Sequence, residues 1–340
     1  MRAIVQDRYG STEVLRLGEI DPPVVADNEV LIRVHAASVN AYDWHAMRGD
    51  PYLARLVFGL GAPKRKVRGR DVAGRVEAVG RDVTRLRPGD DVYGDLGSAD
   101  GAFAEYVSVP ERLVERKPAN LSFEQAASMP LAGNTALICL RDAARVRPGE
   151  RVLINGASGG VGTFAVQIAK ALGAEVTGVC SARNVELVRS IGADHVIDYT
   201  ADDFARDGVA PDGSARDRRR YDVVLDLVGN RSLTDCRRVL TPTGTLVLSG
   251  GGAGGDGSGG SLIEPVGLLT RGRALAPFIR HRLVAPATTP NRENLVTLRE
   301  LAEAGKITPI VDRCYPLGEV PEAIRYVEVE HARAKVVITL

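Results

Sequence analysis

Between Arg151 and Asn184 the chain reads RVLINGASGGVGTFAVQIAKALGAEVTGVCSARN, and its residue types point to phosphate chemistry. Ala157-Ser158-Gly159-Gly160-Val161-Gly162 is a small-residue turn. It lies between an apolar run, Arg151–Asn155, and a segment of helical spacing, Phe164–Leu172. Glu175–Cys180 follows as a second apolar run. Strand, glycine turn, helix and strand form the context in which an A-x-G-x-x-G pattern binds a dinucleotide. Gly159 would let the backbone approach a pyrophosphate, and Gly162 would let the helix pack on the sheet. The free N–H groups at the helix start would hold the phosphates.

The end of the second strand bears on which nucleotide is bound. An NAD site usually carries an acid about 20 residues beyond the turn, to hold the ribose 2′-hydroxyl. This chain has Cys180-Ser181-Ala182-Arg183-Asn184 there, with no acid. Ser181 offers a hydroxyl and Arg183 a fixed cation whose fork suits a 2′-phosphate. Ser181, Arg183 and Asn184 are therefore the candidate contacts, and NADPH is expected over NADH.

These residues need elements to hold them. The first 120 or so residues read as short strands separated by Gly and Pro turns, which suggests a small barrel or sandwich. Met1–Gln6, Val30–Val34, Val72–Val79 and Gly101–Val109 are expected strands. Gly74 inside the third suggests a bulge or a close backbone approach. From Ser122 the period changes, and strands then alternate with helices. The strands are Val152–Asn155, Val176–Cys180, His195–Tyr199, Tyr221–Val228 and Thr245–Ser249. Such alternation predicts a parallel sheet with crossover helices. Ala201–Arg220 reads as a charged loop, and Ser249–Gly260 as a glycine-rich flap or linker. Near the end, Arg292–Ala304 and Val320–Val327 read as helices, and Lys306–Val311, Cys314–Leu317 and Lys335–Leu340 as strands.

Bulk properties fit a soluble enzyme. The 340 residues are long enough for about two domains. The net charge is +1, which gives no electrostatic case for a nucleic acid or membrane partner. Aromatic residues are only 5%, too few for base-stacking platforms. No apolar run approaches the roughly 20 residues of a membrane span, and MRAIVQDRYG lacks the apolar core of a signal peptide. Cys139, Cys180, Cys236 and Cys314 are scattered, so neither a disulfide framework nor a cysteine metal cluster is expected. Buried thiols in a reducing cytoplasm are the simpler reading.

Several ordered motifs then resemble the medium-chain dehydrogenase/reductase superfamily. They are Ala37-Ser38-Val39-Asn40-x-x-Asp43, Gly69-Arg70-Asp71-Val72-Ala73-Gly74, Arg87-Pro88-Gly89-Asp90, Ala104-Glu105-Tyr106, Leu131-Ala132-Gly133-x-Thr135-Ala136, the glycine turn, and Ile191-Gly192-Ala193-Asp194. The chain is most similar to the zinc-independent quinone oxidoreductase, or zeta-crystallin-like, branch. The resemblance implies an α/β fold: a Rossmann doubly wound parallel sheet plus a GroES-like β-rich catalytic domain. Expected boundaries are 1–121 for the first part of the catalytic domain, 122–287 for the NADP-binding domain, and 288–340 for the return. The active site would lie between the domains.

Zinc enzymes of this superfamily carry Cys where this chain has its Asn40–Asp43 segment, and His where it has Arg70. Catalytic zinc needs about three protein ligands, so no metal is expected. Without a Lewis acid, an electron-poor quinone or activated alkene is the expected hydride acceptor. The resemblance places Thr135 near the nicotinamide carboxamide, Tyr199 at the adenosine phosphate, and Val228, Ser249 and Gly250 along the nicotinamide half. Lys335 matches a family lysine near the cofactor, although Ala334 stands where glycine is usual. Asn40, Asp43 and His45 are the candidate catalytic residues. Asp43 also reads as the cap of a helix beginning at Trp44, and His45 as a surface residue. Two other functions stay open: an alcohol or aldehyde dehydrogenase that lost zinc, and a non-catalytic NADPH-binding sensor or structural protein. Apolar residues in Leu262–Ala276 suggest a homodimer.

Overall fold

The computed structural model describes residues 1–50, 52–205, 220–249, 280–330 and 332–340. The expected dimer segment, Gly250 with the rest of the glycine-rich stretch, and residues 206–219 of the charged loop lie outside them. By contacts the chain divides into two compact units, Met1–Asn134 with Thr289–Leu340, and Thr135–Thr288.

In the first unit β1 (Arg2–Gln6) pairs antiparallel with β2 (Leu15–Glu19). The strands β3 (Glu29–Val39), β4 (Asp71–Val79), β5 (Asp91–Asp95), β6 (Tyr106–Pro110) and β7 (Val114–Arg116) follow. β3 is 11 residues long and pairs with both β4 and β6. It runs well past the expected Val30–Val34 because Ala36, Ala37 and Ser38 pair on both sides. Small residues give a weak strand signal, and tertiary pairing overrides it. Gly74 behaves as expected: a Cβ there would stand 2.2 Å from the Arg33 carbonyl oxygen, beside a register shift between Val34 and Ala36. The expected strand Gly101–Val109 shortens to β6, since Gly101 takes φ 111 and Ala104 makes only an isolated bridge to Ala3.

A helix at Phe123–Ala127 opens with a capping box between Ser122 and Gln125. It packs on β3 and β4, so these residues group with the first unit, and the division by contacts comes after Asn134 instead of residue 121.

The second unit carries β8 (Arg151–Asn155), β9 (Glu175–Cys180), β10 (His195–Asp198), β11 (Tyr221–Asp226), β12 (Leu240–Leu248) and β13 (Arg282–Val284). All pair in parallel, in the order β10-β9-β8-β11-β12-β13. This is the doubly wound order of a dinucleotide fold, and the direction of winding reverses between β8 and β11. The helix after the glycine turn spans Gly160–Ala171 and starts earlier than its apolar spacing suggests, because glycines disguise its first turn.

The chain then returns to the first unit. The helix Arg292–Glu303 is capped by Asn291. Lys306–Ile310 form no strand, since Pro309 removes a donor. The pairing begins instead with β14 (Val311–Pro316), followed by the helix Val320–Val329 and β15 (Lys335–Thr339). β15 lies antiparallel to β3, and Ile32, Val34, Ile324 and Ile338 share one core. Of the cysteines, Cys139, Cys180 and Cys236 are buried and Cys314 is exposed, all as free thiols.

Gly74→Ala tests the closest backbone approach in this sheet. A methyl group 2.2 Å from a carbonyl oxygen must push β3 and β4 apart. The expected loss is about 1–3 kcal/mol in urea unfolding, typical of overpacking. An unchanged midpoint would show that the pair separates freely.

Candidate active site

The glycine turn meets the helix as the fingerprint requires. A Cβ on Gly162 would stand 2.1 Å from the Gly156 carbonyl oxygen, so only glycine fits. A Cβ on Gly159 would meet nothing closer than 3.4 Å, which leaves that side of the turn open. The first intrahelical bond runs from the Thr163 N–H to the Gly159 carbonyl. The N–H groups of Gly160, Val161 and Gly162 therefore precede the helical ladder, at the end that favours anions. Ala157 is buried, and its N–H donates to the Val179 carbonyl at 3.0 Å.

The end of β9 is tied to this turn. The Asn184 amide donates to Ser158 Oγ at 3.0 Å and to Ser181 Oγ at 3.4 Å. Tyr199 follows β10, its N–H donates to the Cys180 carbonyl at 3.0 Å, and its side chain is 52% exposed. Ser158, Ser181, Asn184 and Tyr199 thus gather at the carboxyl ends of three adjacent strands, with Arg183 exposed beside them. These residues fit a dinucleotide phosphate and adenosine end.

The reversal between β8 and β11 is organised by Asp226, which sequence reading missed. Its Oδ1 accepts from Asn155 Nδ2 at 2.9 Å, from the Val228 N–H at 3.1 Å and from the Gly229 N–H at 2.9 Å. The Ser249 N–H donates to the Asp226 carbonyl at 3.0 Å. Val228 and Ser249 therefore both lean on the strand-end acid. Its one sequence signal is an acid closing an otherwise apolar run. Thr135 is buried on the helix Pro130–Leu137.

In the first unit a second constellation forms around Asp71, at the start of β4. Its carboxylate accepts from Ser38 Oγ at 2.9 Å, Asn40 Nδ2 at 3.0 Å and the Leu131 N–H at 3.0 Å. Lys335 Nζ stands 3.6 Å away and donates to Asn40 Oδ1 at 2.5 Å and to the Val39 carbonyl at 3.3 Å. The Asn40 carboxamide is thus fixed at both its oxygen and its nitrogen. Burial pushes the Asp71 carboxyl up and the Lys335 ammonium down, while each draws the other toward its charged form. Ala334 takes φ 55, a left-handed conformation that glycine adopts without strain. The departure from glycine costs local strain, yet Lys335 still reaches Asn40.

Asp43 lies where a cap was expected, but in another role. The helix spans Ala41–Arg48, with Asn40 at its N-cap and Asp43 one turn inside, accepting from the Asn40 N–H at 2.7 Å. The helix therefore begins before Trp44. Asp43 is fully buried and its Oδ1 has no partner. Burial raises its carboxyl to about 8, with Asp100 and Asp71 adding to the rise. Nearby, Arg70 grips Asp95 through Nε and Nη2 at 2.8 and 2.7 Å and lies 4.6 Å from the Tyr42 ring centroid. Arg68, fully buried, pairs with Asp100 at 3.0 Å. Arg68, Arg70 and Lys335 thus face Asp43, Asp71, Asp95 and Asp100, one more acid than there are cations, and burial favours the neutral form of Asp43.

His45 stacks on Trp44 with ring centroids 3.6 Å apart. Its Nδ1 lies 3.0 Å from the Asp50 carbonyl oxygen. A carbonyl can only accept, so Nδ1 carries the proton and the neutral ring keeps Nε2 as an acceptor. Burial lowers its pKa, which disfavours the imidazolium that donation from Nε2 would need.

Comparison with known proteins agrees with this architecture. The alcohol dehydrogenase GroES-like domain family matches residues 26–119, and the zinc-binding dehydrogenase family matches residues 191–338. The chain is 35% identical to the mitochondrial NAD(P)H oxidoreductase RTN4IP1 of Bos taurus, covering 100% of this chain and 89% of that protein. It is 33% identical to the 2-methylene-furan-3-one reductase of Solanum lycopersicum, covering 99% and 79%. The Escherichia coli quinone oxidoreductase complexed with NADPH superposes with a TM-score of 0.80 at 25% identity, each chain covered in full. The chain belongs to the medium-chain dehydrogenase/reductase superfamily, in its quinone oxidoreductase branch. It is an oxidoreductase with the fold the superfamily resemblance implied.

One matching family is named for zinc, and the residues here do not fit that metal. Arg70 is held by Asp95, while Asp71 is engaged by Ser38, Asn40, Leu131 and Lys335. Among the described residues, no group of three or more His, Cys, Asp or Glu side chains could hold a metal ion. No helix among them is long and apolar enough to cross a membrane.

Asp43 makes stability depend on pH. Its carboxyl rises from about 3.9 in an unfolded chain to about 8 in the fold. A raised carboxyl stabilises the fold fully below the unfolded value, and the contribution is lost as pH rises toward the folded one. Unfolding free energy should therefore fall between about pH 4 and 8. Asp43→Asn, which cannot titrate, should show a shallower fall. Denaturant unfolding across that range measures both slopes, and parallel slopes would assign the proton elsewhere.

Proposed function

We propose that this oxidoreductase transfers hydride from NADPH to a quinone or an α,β-unsaturated carbonyl, without zinc. The observation that carries this reading is the ion pairing of Arg70, at the position where zinc relatives carry a metal-binding His, and of Asp71 next to it. Alcohol oxidation relies on a Lewis acid to stabilise an alkoxide. A quinone or conjugated ketone spreads incoming charge onto its own oxygen and needs less help. The tomato relative's name describes reduction of such a ketone, and the Escherichia coli neighbour is a quinone oxidoreductase holding NADPH.

Bound NADPH would supply the hydride, and the protein orients it and shields the site. In this reading the N–H groups of Gly160, Val161 and Gly162 hold the phosphates. Ser158, Ser181, Arg183, Asn184 and Tyr199 take the adenosine phosphate end. Thr135, Val228, Ser249 and Gly250 line the nicotinamide half. Asn40, fixed by Asp71 and Lys335, presents a carboxamide of set orientation to the ribose or the acceptor. Asp43 holds the Asn40 N–H from within the helix, and His45 offers an acceptor nitrogen. A homodimer and a cytoplasmic location belong to the same proposal and rest on sequence alone.

Turnover with a panel of water-soluble quinones and conjugated ketones tests the reading. NADPH should be oxidised, a chelator should leave the rate intact, and elemental analysis should find no stoichiometric zinc. Tight NADPH binding without turnover of any acceptor would favour the sensor. Zinc-dependent alcohol oxidation would sink the mechanism.

Arg183→Ala addresses the coenzyme. Loss of one charge-assisted contact to a 2′-phosphate should weaken NADPH binding by about 1.5–3 kcal/mol. NADH binding should hardly change. Equal weakening of both, measured by fluorescence titration, would show that Arg183 does not meet the phosphate.

A further inference from the structure

One buried amide links the glycine turn to the end of β9. Asn184 is 4% exposed and stands at the start of the helix Val185–Ser190. At such a position an asparagine oxygen ordinarily accepts from a helix N–H. Here the side chain makes no capping bond. Its Nδ2 is turned to Ser158 Oγ and Ser181 Oγ, at 3.0 and 3.4 Å. Its Oδ1 is buried and has no hydrogen-bond partner among the described residues. An unpartnered buried oxygen is destabilising, so the fold forgoes a bond and keeps both serines as acceptors. Gly178 allows the approach. A Cβ there would stand 2.5 Å from Val188 Cγ1 and 3.0 Å from Ala157 Cβ. Its absence lets the helix lie close to the glycine turn, within reach of both hydroxyls.

The direction of these bonds decides what the serines can do. A serine hydroxyl has one proton and two lone pairs. Ser158 and Ser181 each accept from Asn184, and among the described residues neither gives its proton to a protein group. Both are half-buried. Each hydroxyl therefore keeps a proton to donate to a ligand. Arg183, exposed in the same turn, adds a fixed cation. A phosphate group presents acceptor oxygens and negative charge to such a surface. A ribose hydroxyl brings a proton of its own, which NAD sites meet with an acid. Ser181-Ala182-Arg183-Asn184 contains none.

We propose that Asn184 is a positioning residue for coenzyme choice: its amide sets the Ser158 and Ser181 hydroxyls as donors, and so favours a 2′-phosphate over a 2′-hydroxyl. The inference rests on the reading that NADPH is the coenzyme, and it adds the residue that sets the polarity of the 2′-phosphate site. Asn184 acts through the serines, because its own side chain is buried. A reversed amide would have the opposite effect. An oxygen facing the serines would take both protons and leave lone pairs toward the ligand. Asn184→Asp imposes that reversal, since an ionised carboxylate can only accept.

The test is calorimetric titration of the full chain with adenosine 2′,5′-bisphosphate and with adenosine 5′-monophosphate, which lacks the 2′-phosphate. The wild type should bind the bisphosphate at least about tenfold more tightly. Asn184→Asp should lose about tenfold or more of that affinity and bind the monophosphate within about threefold of the wild type. A carboxylate also repels phosphate directly, and a Ser158→Ala, Ser181→Ala background separates the two effects. With the serines present, Asn184→Ala should weaken bisphosphate binding by about three- to tenfold; without them it should cause no further loss. If Asn184→Ala fails to fold, the near-isosteric Asn184→Asp carries the test, its loss being at least about threefold smaller without the serines. Equal losses with and without the serines, or equal losses for both ligands, would overturn the inference and leave the NADPH reading standing. Equal affinity of the wild type for the two ligands would overturn both.

Discussion

Asp71 is where the architecture of the first unit and its chemistry meet. One buried carboxylate accepts from Ser38 at the end of β3, from Asn40 beyond it, and from the Leu131 N–H at a helix start. It also faces Lys335 at the beginning of β15. Three other pieces of chain converge on it, and Ser38 and Lys335 among them lie 297 positions apart. Removing one partner of a buried charge pair typically costs about 3–5 kcal/mol, because the other charge is stranded. The return of the chain to its first unit is thus a chemical requirement as well as a topological one. Without β15 there is no lysine to answer Asp71, and without Lys335 the Asn40 oxygen loses its donor.

This dependence explains what could be read in the sequence. The glycine turn is local: its constraint on Gly162 comes from Gly156, six positions earlier, so the pattern carries its own meaning. The parallel sheet was legible for a similar reason, since apolar runs and helical spacing alternate within short windows. The length of β3 was not, because Ala36, Ala37 and Ser38 become a strand only through partners far along the chain. The helix Ala41–Arg48 was legible only from Trp44 onward; it is short, and Asn40 with Asp43 forms a capping box that shifts its start three positions earlier. Asp71 stood in the sequence only as part of a motif, and its occupation comes from Ser38, Asn40, Leu131 and Lys335, partners up to 264 positions away. Asp226 gave almost no warning, as its work is to accept from backbone groups of the next loop.

Arg70 shows how thoroughly the group has been rebuilt around ion pairs. Its two contacts with Asp95 are parallel and bidentate, the geometry that makes an arginine–carboxylate pair directional as well as strong. The guanidinium also covers the Tyr42 ring, so three side chains fix one another's positions. A cation that cannot lose its proton, placed beside Asp71, works against a divalent metal in two ways. It repels the ion, and its own partner Asp95 is no longer available as a ligand.

The same ion pairs set the electrostatic character of the site. Hydride reduction delivers negative charge to the acceptor, and under the proposed function a cluster of unpaired carboxylates near it would oppose the transfer. Here Arg68, Arg70 and Lys335 answer three acids, and the fourth, Asp43, sits in a place where burial favours its neutral form. The first unit therefore carries many buried charged residues but little uncompensated charge. What remains polar and oriented is the Asn40 carboxamide, held at its oxygen by Lys335 and at its nitrogen by Asp71. Fixing an amide from both ends spends conformational freedom during folding, so that little is left to lose when a ligand arrives.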